Sequence, residues 1–132
     1  MSRLPLQVCT AVLALIPIAT GVVTLLGVQD PLYRPLSLPP APVLDSNLRF
    51  FGGLWLGVGL AMLWLVPSIE HQGVLFRALW VGIFLGGVGR VLSWIVIDAP
   101  PKAFIGFTLL ELVGAPLFIY WQYRIAQSLG TP

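Results

Sequence analysis

Four long apolar runs, separated by short polar or proline-rich segments, dominate the pattern of hydrophobic and polar positions. They cover about residues 6–28, 48–66, 74–97 and 103–123. Apolar runs of about 20 residues are long enough to cross the hydrocarbon core of a bilayer as α-helices. The pattern therefore predicts an all-α membrane protein, a four-transmembrane-helix antiparallel bundle that forms a single domain over residues 1–132.

The connection between the first two runs, residues 29–47, is long and rich in proline. It also carries several large apolar side chains, which a solvated linker does not need. We therefore expect this proline-rich loop to fold over the mouth of the bundle. Its prolines are Pro31, Pro35, Pro39, Pro40 and Pro42.

The composition supports a membrane location. Hydrophobic residues make up 58% of the chain and charged residues only 9%, and the mean hydropathy is +0.94. Soluble domains carry about 25% charged residues, so a surface that faces water on all sides is excluded. The basic residues are scattered and give a net charge of only +2, so no nucleic-acid partner is expected. The lipid bilayer is the partner that this composition predicts.

Several familiar chemistries are excluded by residue counts. Cys9 is the only cysteine and His71 the only histidine, so the chain has neither a redox CxxC pair nor a bis-histidine haem site. No His, Cys and carboxylate set has metal-ligand spacing. We predict no metal and no cofactor, and the pattern favours a protein that is not an enzyme. Glu70 and His71 are expected to be solvated in a short loop.

Two charged residues interrupt the apolar runs. Arg90 lies in the third run and Glu111 in the fourth, and a charge at the centre of a membrane helix costs about 2.5–3.5 kcal/mol. The hairpin between these runs is short, so both charges fall roughly 10–12 Å below the same membrane face at 1.5 Å per residue. This spacing predicts a salt bridge between neighbouring helices. The pair could bind a ligand or could simply fix the helix register.

Three more polar residues precede the apolar centre of the second run, on the same side of the membrane. The predicted ligand-binding site or buried polar network consists of Asp45, Asn47, Arg49, Arg90 and Glu111. Structural roles are open alternatives. Asp45 and Asn47 could cap a helix, and Arg49 could extend to lipid headgroups.

Glycines at a spacing of four residues occur in the second and third runs, at positions 53 and 57 and at positions 82 and 86. Such GxxxG patterns let helix backbones approach closely. They predict tight packing between spans. The same glycine-rich faces could dock to another membrane protein or form a homo-oligomer.

Three motifs carry a family resemblance: LDSNLRFFGG at residues 44–53, FLGGVGR at 84–90 and ELVGAP at 111–116. Together they resemble a bacterial family of small four-helix integral membrane proteins that is known only as a domain of unknown function. The resemblance covers nearly the whole chain. It implies one four-span domain in the bacterial inner (cytoplasmic) membrane, and it implies no activity.

The orientation of the chain follows from its basic residues, which are expected to be in excess on the cytoplasmic side. Each side of the predicted bundle receives three of them, but three aspartates lie on the side opposite the termini. We therefore expect both termini in the cytoplasm. The side of the termini holds Arg3, Arg77 and Arg124, and the other holds Arg34, Arg49, Lys102, Asp30, Asp45 and Asp98.

Three functions are compatible with these features. The first is a non-enzymatic binding or accessory subunit, with a polar cleft for an amphipathic anionic ligand or lipid, or with a surface that docks to a larger membrane complex. The second is a small proton-coupled transporter, although Arg90 beside Glu111 would hold that carboxylate ionised. The third is a membrane enzyme acting on an isoprenoid-like lipid, with Glu111 and Asp45 as acid and base.

Overall fold

A computed structural model describes residues 2–39 and 41–130. Within these ranges the chain is helical and contains no strand, and four helices are long and apolar enough to cross a membrane. The all-α class with four membrane-spanning helices is confirmed. Pro40 of the proline-rich loop and positions 1, 131 and 132 of the predicted domain lie outside the described residues. The single-domain organisation stays a prediction.

The four helices have the order that the apolar runs predict, with different ends. Helix α1 covers Leu4–Thr24, α2 covers Pro42–Leu65, α3 covers Gly73–Val96 and α4 covers Lys102–Ser128. The middle of α4, Leu110–Gly114, is π-helical. Helices α2 and α4 therefore extend into flanking polar sequence, because a helix needs no apolar residues outside the hydrocarbon core. Helix α1 ends at Thr24, short of the predicted end at residue 28.

The connection between α1 and α2 is shorter than predicted and partly helical. It contains two short 3₁₀ turns, Gly27–Gln29 and Arg34–Leu36. Helix α1 ends before Gly27, whose φ of 63° lies in the left-handed region that glycine adopts without strain. Helix α2 begins at Pro42, because proline fits the first helical position, where no backbone N–H is needed.

The proline-rich loop leaves its large apolar side chains uncovered. Leu32 is 57% exposed and Leu36 is 63% exposed. The expectation that this loop folds over the mouth of the bundle stays a prediction. The geometry of the loop is fixed by polar side chains at the helix ends, which are described with the candidate site.

The chain divides into two compact units. One unit is Gln7–Pro67, which contains nearly all of α1 together with α2. The other joins the described residues up to Leu6 with those from Ser68 onward, and so contains α3 and α4. In both units two consecutive helices pack as an antiparallel hairpin. The short connection between α3 and α4 favours this arrangement.

Glycines bring the backbones of α1 and α2 together. A Cβ atom at Gly21 would stand 2.6 Å from the backbone nitrogen of Leu56, and one at Gly52 would stand 2.7 Å from that of Leu25. A Cβ atom at Gly59 would come within 2.9 Å of a carbonyl oxygen of α1. Only glycine fits at these three positions, because real Cβ atoms do not approach backbone so closely.

Aromatic rings and one glycine hold α3 against α4. The rings of Trp80 and Phe118 stack with centroids 4.6 Å apart, and Phe76 packs beside Trp80 at 6.1 Å. Towards the other end of the hairpin, a Cβ atom at Gly87 would stand 2.9 Å from the Cβ atom of Glu111. This close approach places α4 next to the α3 segment that ends in the FLGGVGR motif.

The glycines that make these contacts are not the predicted ones. No described atom lies within 4 Å of the place where a Cβ atom would stand at Gly57, Gly82 or Gly86, and at Gly53 the nearest is a methyl group of Leu25 at 3.8 Å. Within each hairpin, the two GxxxG patterns therefore do not make the predicted close contacts. In the doublets at positions 52–53 and 86–87, the contacts are made by Gly52 and Gly87. Each lies about 100° around the helix from the predicted glycine.

Candidate functional site

Arg90 of α3 and Glu111 of α4 form the ion pair that the sequence predicts. The Nε atom of Arg90 donates to both carboxylate oxygens of Glu111, at 3.1 Å to Oε1 and 2.9 Å to Oε2. The Glu111 side chain is only 8% exposed, whereas that of Arg90 is 35% exposed. The buried carboxylate is therefore neutralised by a guanidinium group that remains accessible from one side.

The outer part of the Arg90 guanidinium has unused hydrogen-bonding capacity. Its terminal nitrogens, Nη1 and Nη2, donate to no group within residues 2–39 and 41–130. The guanidinium carbon lies 5.2 Å from the centre of the Phe104 ring, which is a cation–π distance. Arg90 is thus held by Glu111 and Phe104, while the N–H groups that suit bidentate binding of an anion stay available.

Local features of α4 place Glu111 opposite Arg90. Pro116 lacks a backbone N–H, so it cannot donate to the carbonyl group four residues earlier, and a regular α-helix is interrupted there. The π-helical segment Leu110–Gly114 directly precedes this proline and contains Glu111. Gly87, three residues before Arg90, lets this widened turn approach α3 closely. Single π-helical turns of this kind are frequent at functional sites.

A second ion pair lies in the other unit, where Asp45 and Arg49 share one face of α2. The Arg49 Nε donates to Asp45 Oδ2 at 2.6 Å, and its Nη1 and Nη2 donate to the carbonyl oxygens of Leu25 and Leu26, at 2.8 and 3.3 Å. Asp45 Oδ1 accepts from the Val28 backbone N–H at 3.0 Å. The pair therefore satisfies backbone groups that the end of α1 leaves without helical partners.

The contacts of Asp45, Arg49 and Asn47 can be compared with the capping and headgroup roles that the sequence left open. Asp45 lies inside the first turn of α2 and does not cap it, since the helix begins at Pro42. Arg49 binds backbone carbonyl groups of its own unit. Asn47 is exposed, and no side-chain hydrogen bond joins it to the described residues. The convergence of all five predicted residues in one cleft stays a prediction, as does ligand binding by Asp45, Asn47 and Arg49.

The expectation that Glu70 is solvated is wrong. Glu70, between α2 and α3, is only 5% exposed and forms an ion pair with Arg3. His71 is exposed, with its Nε2 atom 3.7 Å from Glu70 Oε1. The sequence of this short loop contains no feature that predicts burial of its glutamate. The Arg3 side chain at the start of α1 is the partner that makes this burial tolerable.

Two further buried polar residues were missed in the sequence. Asp30 has no exposed surface, and its carboxylate accepts from the Leu32 N–H at 2.8 Å and from the Thr24 hydroxyl at 3.2 Å. Gln122 of α4 is 2% exposed and donates to the Ile69 carbonyl at 3.0 Å. Asp30 precedes Pro31, a typical turn signal, so this role could have been found; the role of Gln122 depends on tertiary contacts.

No cluster of three or more His, Cys, Asp or Glu side chains suited to a metal ion occurs in the part of the chain that the structure describes. The Arg90 guanidinium is a fixed cation, and its N–H groups suit a carboxylate or phosphate oxygen.

Four apolar helices and an ion pair inside two of them define the class of the molecule as a multi-pass membrane protein. The chain belongs to the family described as a domain of unknown function (DUF4345), which matches residues 5–122. The predicted membership of an uncharacterised family is confirmed. No curated protein and no solved structure matches the chain.

Proposed function

We propose that this protein is a non-enzymatic membrane protein that binds the anionic group of an amphipathic ligand or lipid at Arg90. The observation that carries the proposal is the one-sided bonding of that guanidinium. Among the described residues only Nε is used, by Glu111, and the terminal nitrogens are left for an acceptor. In an apolar environment, unsatisfied N–H groups are costly, so an anionic oxygen at this position is strongly favoured.

The ion pair also explains how the empty site is tolerated. An unpaired arginine inside a membrane span is expensive, and Glu111 offsets this cost when no ligand is present. Because Glu111 uses only one of the three guanidinium nitrogens, a ligand need not displace it. The bound state would then contain one cation between two anions, with the ligand oxygen on the exposed side of Arg90.

The transporter and enzyme alternatives are less well supported. A proton-coupled transporter needs Glu111 to exchange protons, yet both of its oxygens accept from Arg90. An enzyme using Asp45 with Glu111 as base and acid needs a free carboxylate, yet Asp45 is engaged by Arg49 and by the Val28 N–H. A binding function requires neither group to change its partner.

The docking function remains part of the proposal. Gly82 and Gly86 lie on one face of α3 and have no described atom within 4 Å of a Cβ position. A larger membrane complex or a second copy of the chain could pack a helix there, since small residues permit close backbone approach. Cross-linking at Gly82→Cys in a Cys9→Ser background tests it. A dimer or a cross-linked partner is expected, and a chain that stays monomeric would exclude this surface.

We further propose a bacterial inner-membrane location with both termini in the cytoplasm. The support is the excess of aspartate on the opposite side together with the basic residues near both termini. Reporter fusions test this orientation. A fluorescent protein that matures only in the cytoplasm should be bright at the C-terminus, and a dark fusion with an active periplasmic reporter would reverse the orientation.

Native mass spectrometry tests ligand binding directly. The protein in mild detergent is titrated with phosphatidylglycerol and with phosphatidylcholine of the same acyl chains, and the lipid adducts are counted. We expect preferential binding of the anionic lipid, and a weakening of about tenfold or more in Arg90→Gln, since a hydrogen bond to a charged group contributes about 1.5–3 kcal/mol. Arg124→Gln is the matched control, because in the described part of the chain Arg124 bonds only Tyr120 of its own helix.

Two results would contradict the proposal. Equal adducts with both lipids would show that the protein does not select the anionic group. Equal losses in Arg90→Gln and Arg124→Gln would show that overall charge, and not the Arg90 site, controls binding. Mass spectrometry of molecules that copurify in mild detergent would then identify the natural ligand chemistry.

A further inference from the structure

The segment between α1 and α2 combines a rigid backbone with uncovered apolar side chains. Asp30 fixes the backbone from inside. Its carboxylate binds the Leu32 N–H, and its carbonyl oxygen accepts from the N–H groups of Tyr33 and Arg34, at 2.8 and 2.9 Å. Ser37 closes the second turn by donating to the Arg34 carbonyl at 3.2 Å. The segment is therefore a built turn, and its side chains point in fixed directions.

The apolar side chains of this turn continue the uncovered surface of the helices that flank it. Leu32 and Leu36 are 57% and 63% exposed. At the adjoining helix ends, Leu26 is 48% and Val43 is 76% exposed. In soluble proteins large exposed apolar patches mark interaction surfaces. Here the flanking helices cross a membrane, so the patch begins at the surface of the bilayer.

We propose that the turn formed by residues 31–38, called the interfacial turn below, inserts into the boundary between headgroups and acyl chains of the leaflet where α1 ends and α2 begins. Leu32 and Leu36 enter the acyl region, and Arg34 contacts lipid phosphates. The occupant is the bilayer surface itself. The proposal concerns the unit that lacks Arg90, so it stands or falls independently of the proposed function.

Charge favours a lipid surface over a protein partner. Arg34 lies between the two leucines along the chain, is exposed, and forms no ion pair within the described ranges. Tyr33 beside it is partly buried. Leucines flanked by a free arginine and a tyrosine are typical of segments that lie in the membrane interface, where apolar groups are submerged and cations meet phosphates.

Spin-label accessibility tests the interfacial turn. Cysteines replace Leu32 or Leu36 in a Cys9→Ser background, and each labelled protein is placed in vesicles of phosphatidylethanolamine and phosphatidylglycerol. Gln29→Cys is the matched control, an exposed polar position on the same connection. Both leucine positions should show several-fold higher collision rates with oxygen, relative to a water-soluble nickel chelate, than the control position.

The alternatives give different results. Labels at Leu32 and Leu36 that meet the nickel chelate as often as the Gln29 label would place the turn in water. Labels shielded from both oxygen and nickel would place it under a protein. Either result would overturn the proposal. An Arg34→Gln variant of the Leu36→Cys protein adds a second measurement, since loss of the phosphate contact should make the label shallower.

Discussion

The molecule contains two arginine–carboxylate pairs that look alike in the sequence and differ in the structure. Arg49 uses Nε, Nη1 and Nη2, on Asp45 and on carbonyl groups at the end of α1. Within residues 2–39 and 41–130, Arg90 uses Nε alone, on Glu111. The first pair stabilises the connection between α1 and α2. The second leaves the terminal N–H groups of its arginine without a described acceptor. Unused donors on the arginine, and not the ion pair alone, therefore indicate a binding site.

Burial separates the pairs as well. Arg49 and Asp45 are 50% and 29% exposed, whereas Glu111 is only 8% exposed. Exposed pairs four residues apart on a helix contribute little to stability, so Arg49 stabilises the unit mainly through its carbonyl contacts. A buried carboxylate depends far more on its partner. The two pairs should therefore respond very differently to the loss of one member.

The largest effect is expected from breaking the buried pair. Arg90→Leu leaves the Glu111 carboxylate without its cation, and should lower the free energy of unfolding by about 3 kcal/mol. Thermal unfolding in detergent measures it. The double variant Arg90→Leu with Glu111→Leu is the control, and should be close to the parent because replacing both charges by apolar groups is often neutral. A single variant as stable as the parent would contradict the pairing.

A smaller loss is expected from Gly87→Ala. The added methyl group would meet Glu111 and Leu112 at about 3 Å, so α3 and α4 must separate, at a cost of about 1–3 kcal/mol. Gly82→Ala on the same helix is the matched control, since its surroundings are open. It should match or exceed the parent, because alanine is favoured over glycine within a helix by about 0.5–1 kcal/mol. Equal losses at both positions would show that helix packing does not create the site.

The smallest effect is expected at the exposed pair. Arg49→Gln should lower the melting temperature only slightly, and less than Arg90→Leu or Gly87→Ala, through its lost carbonyl contacts. It should leave binding of anionic lipid unchanged. Arg34→Gln is the stability control, since Arg34 forms no ion pair in the described part of the chain. The comparison between the pairs fails if Arg49→Gln weakens lipid binding as strongly as Arg90→Gln.

The fold was largely predictable because membrane helices are encoded by local composition. Runs of apolar residues identified all four spans, and α3 begins and ends within one residue of its predicted run. The end of α1 and the start of α2 were placed wrongly. Hydropathy indicates which residues lie in the hydrocarbon core, and not where a helix begins or ends. It therefore could not predict the turn at Gly27 or the polar first turns of α2.

The site was predictable only in part. Arg90 and Glu111 were recognisable because charges are rare in spans and their depths match. The unused nitrogens of Arg90 depend on where each donor points, which no residue pattern encodes. The correct glycines were also out of reach, because Gly52 and Gly53, or Gly86 and Gly87, differ only by rotation about the helix axis. Burial of Glu70 depends on Arg3, which is 67 residues away in sequence.

Nitrogen-15 NMR of the arginine side chains shows whether the terminal nitrogens of Arg90 bind an anionic headgroup. The protein is labelled at arginine, and spectra are recorded as phosphatidylglycerol is added, with Arg90→Lys and Arg49→Lys variants assigning the signals. We expect the terminal nitrogens of Arg90 to shift while its Nε, still bound to Glu111, changes little and Arg49 is unaffected. Shifts confined to Arg49, or an unchanged Arg90 at saturating lipid, would contradict this expectation.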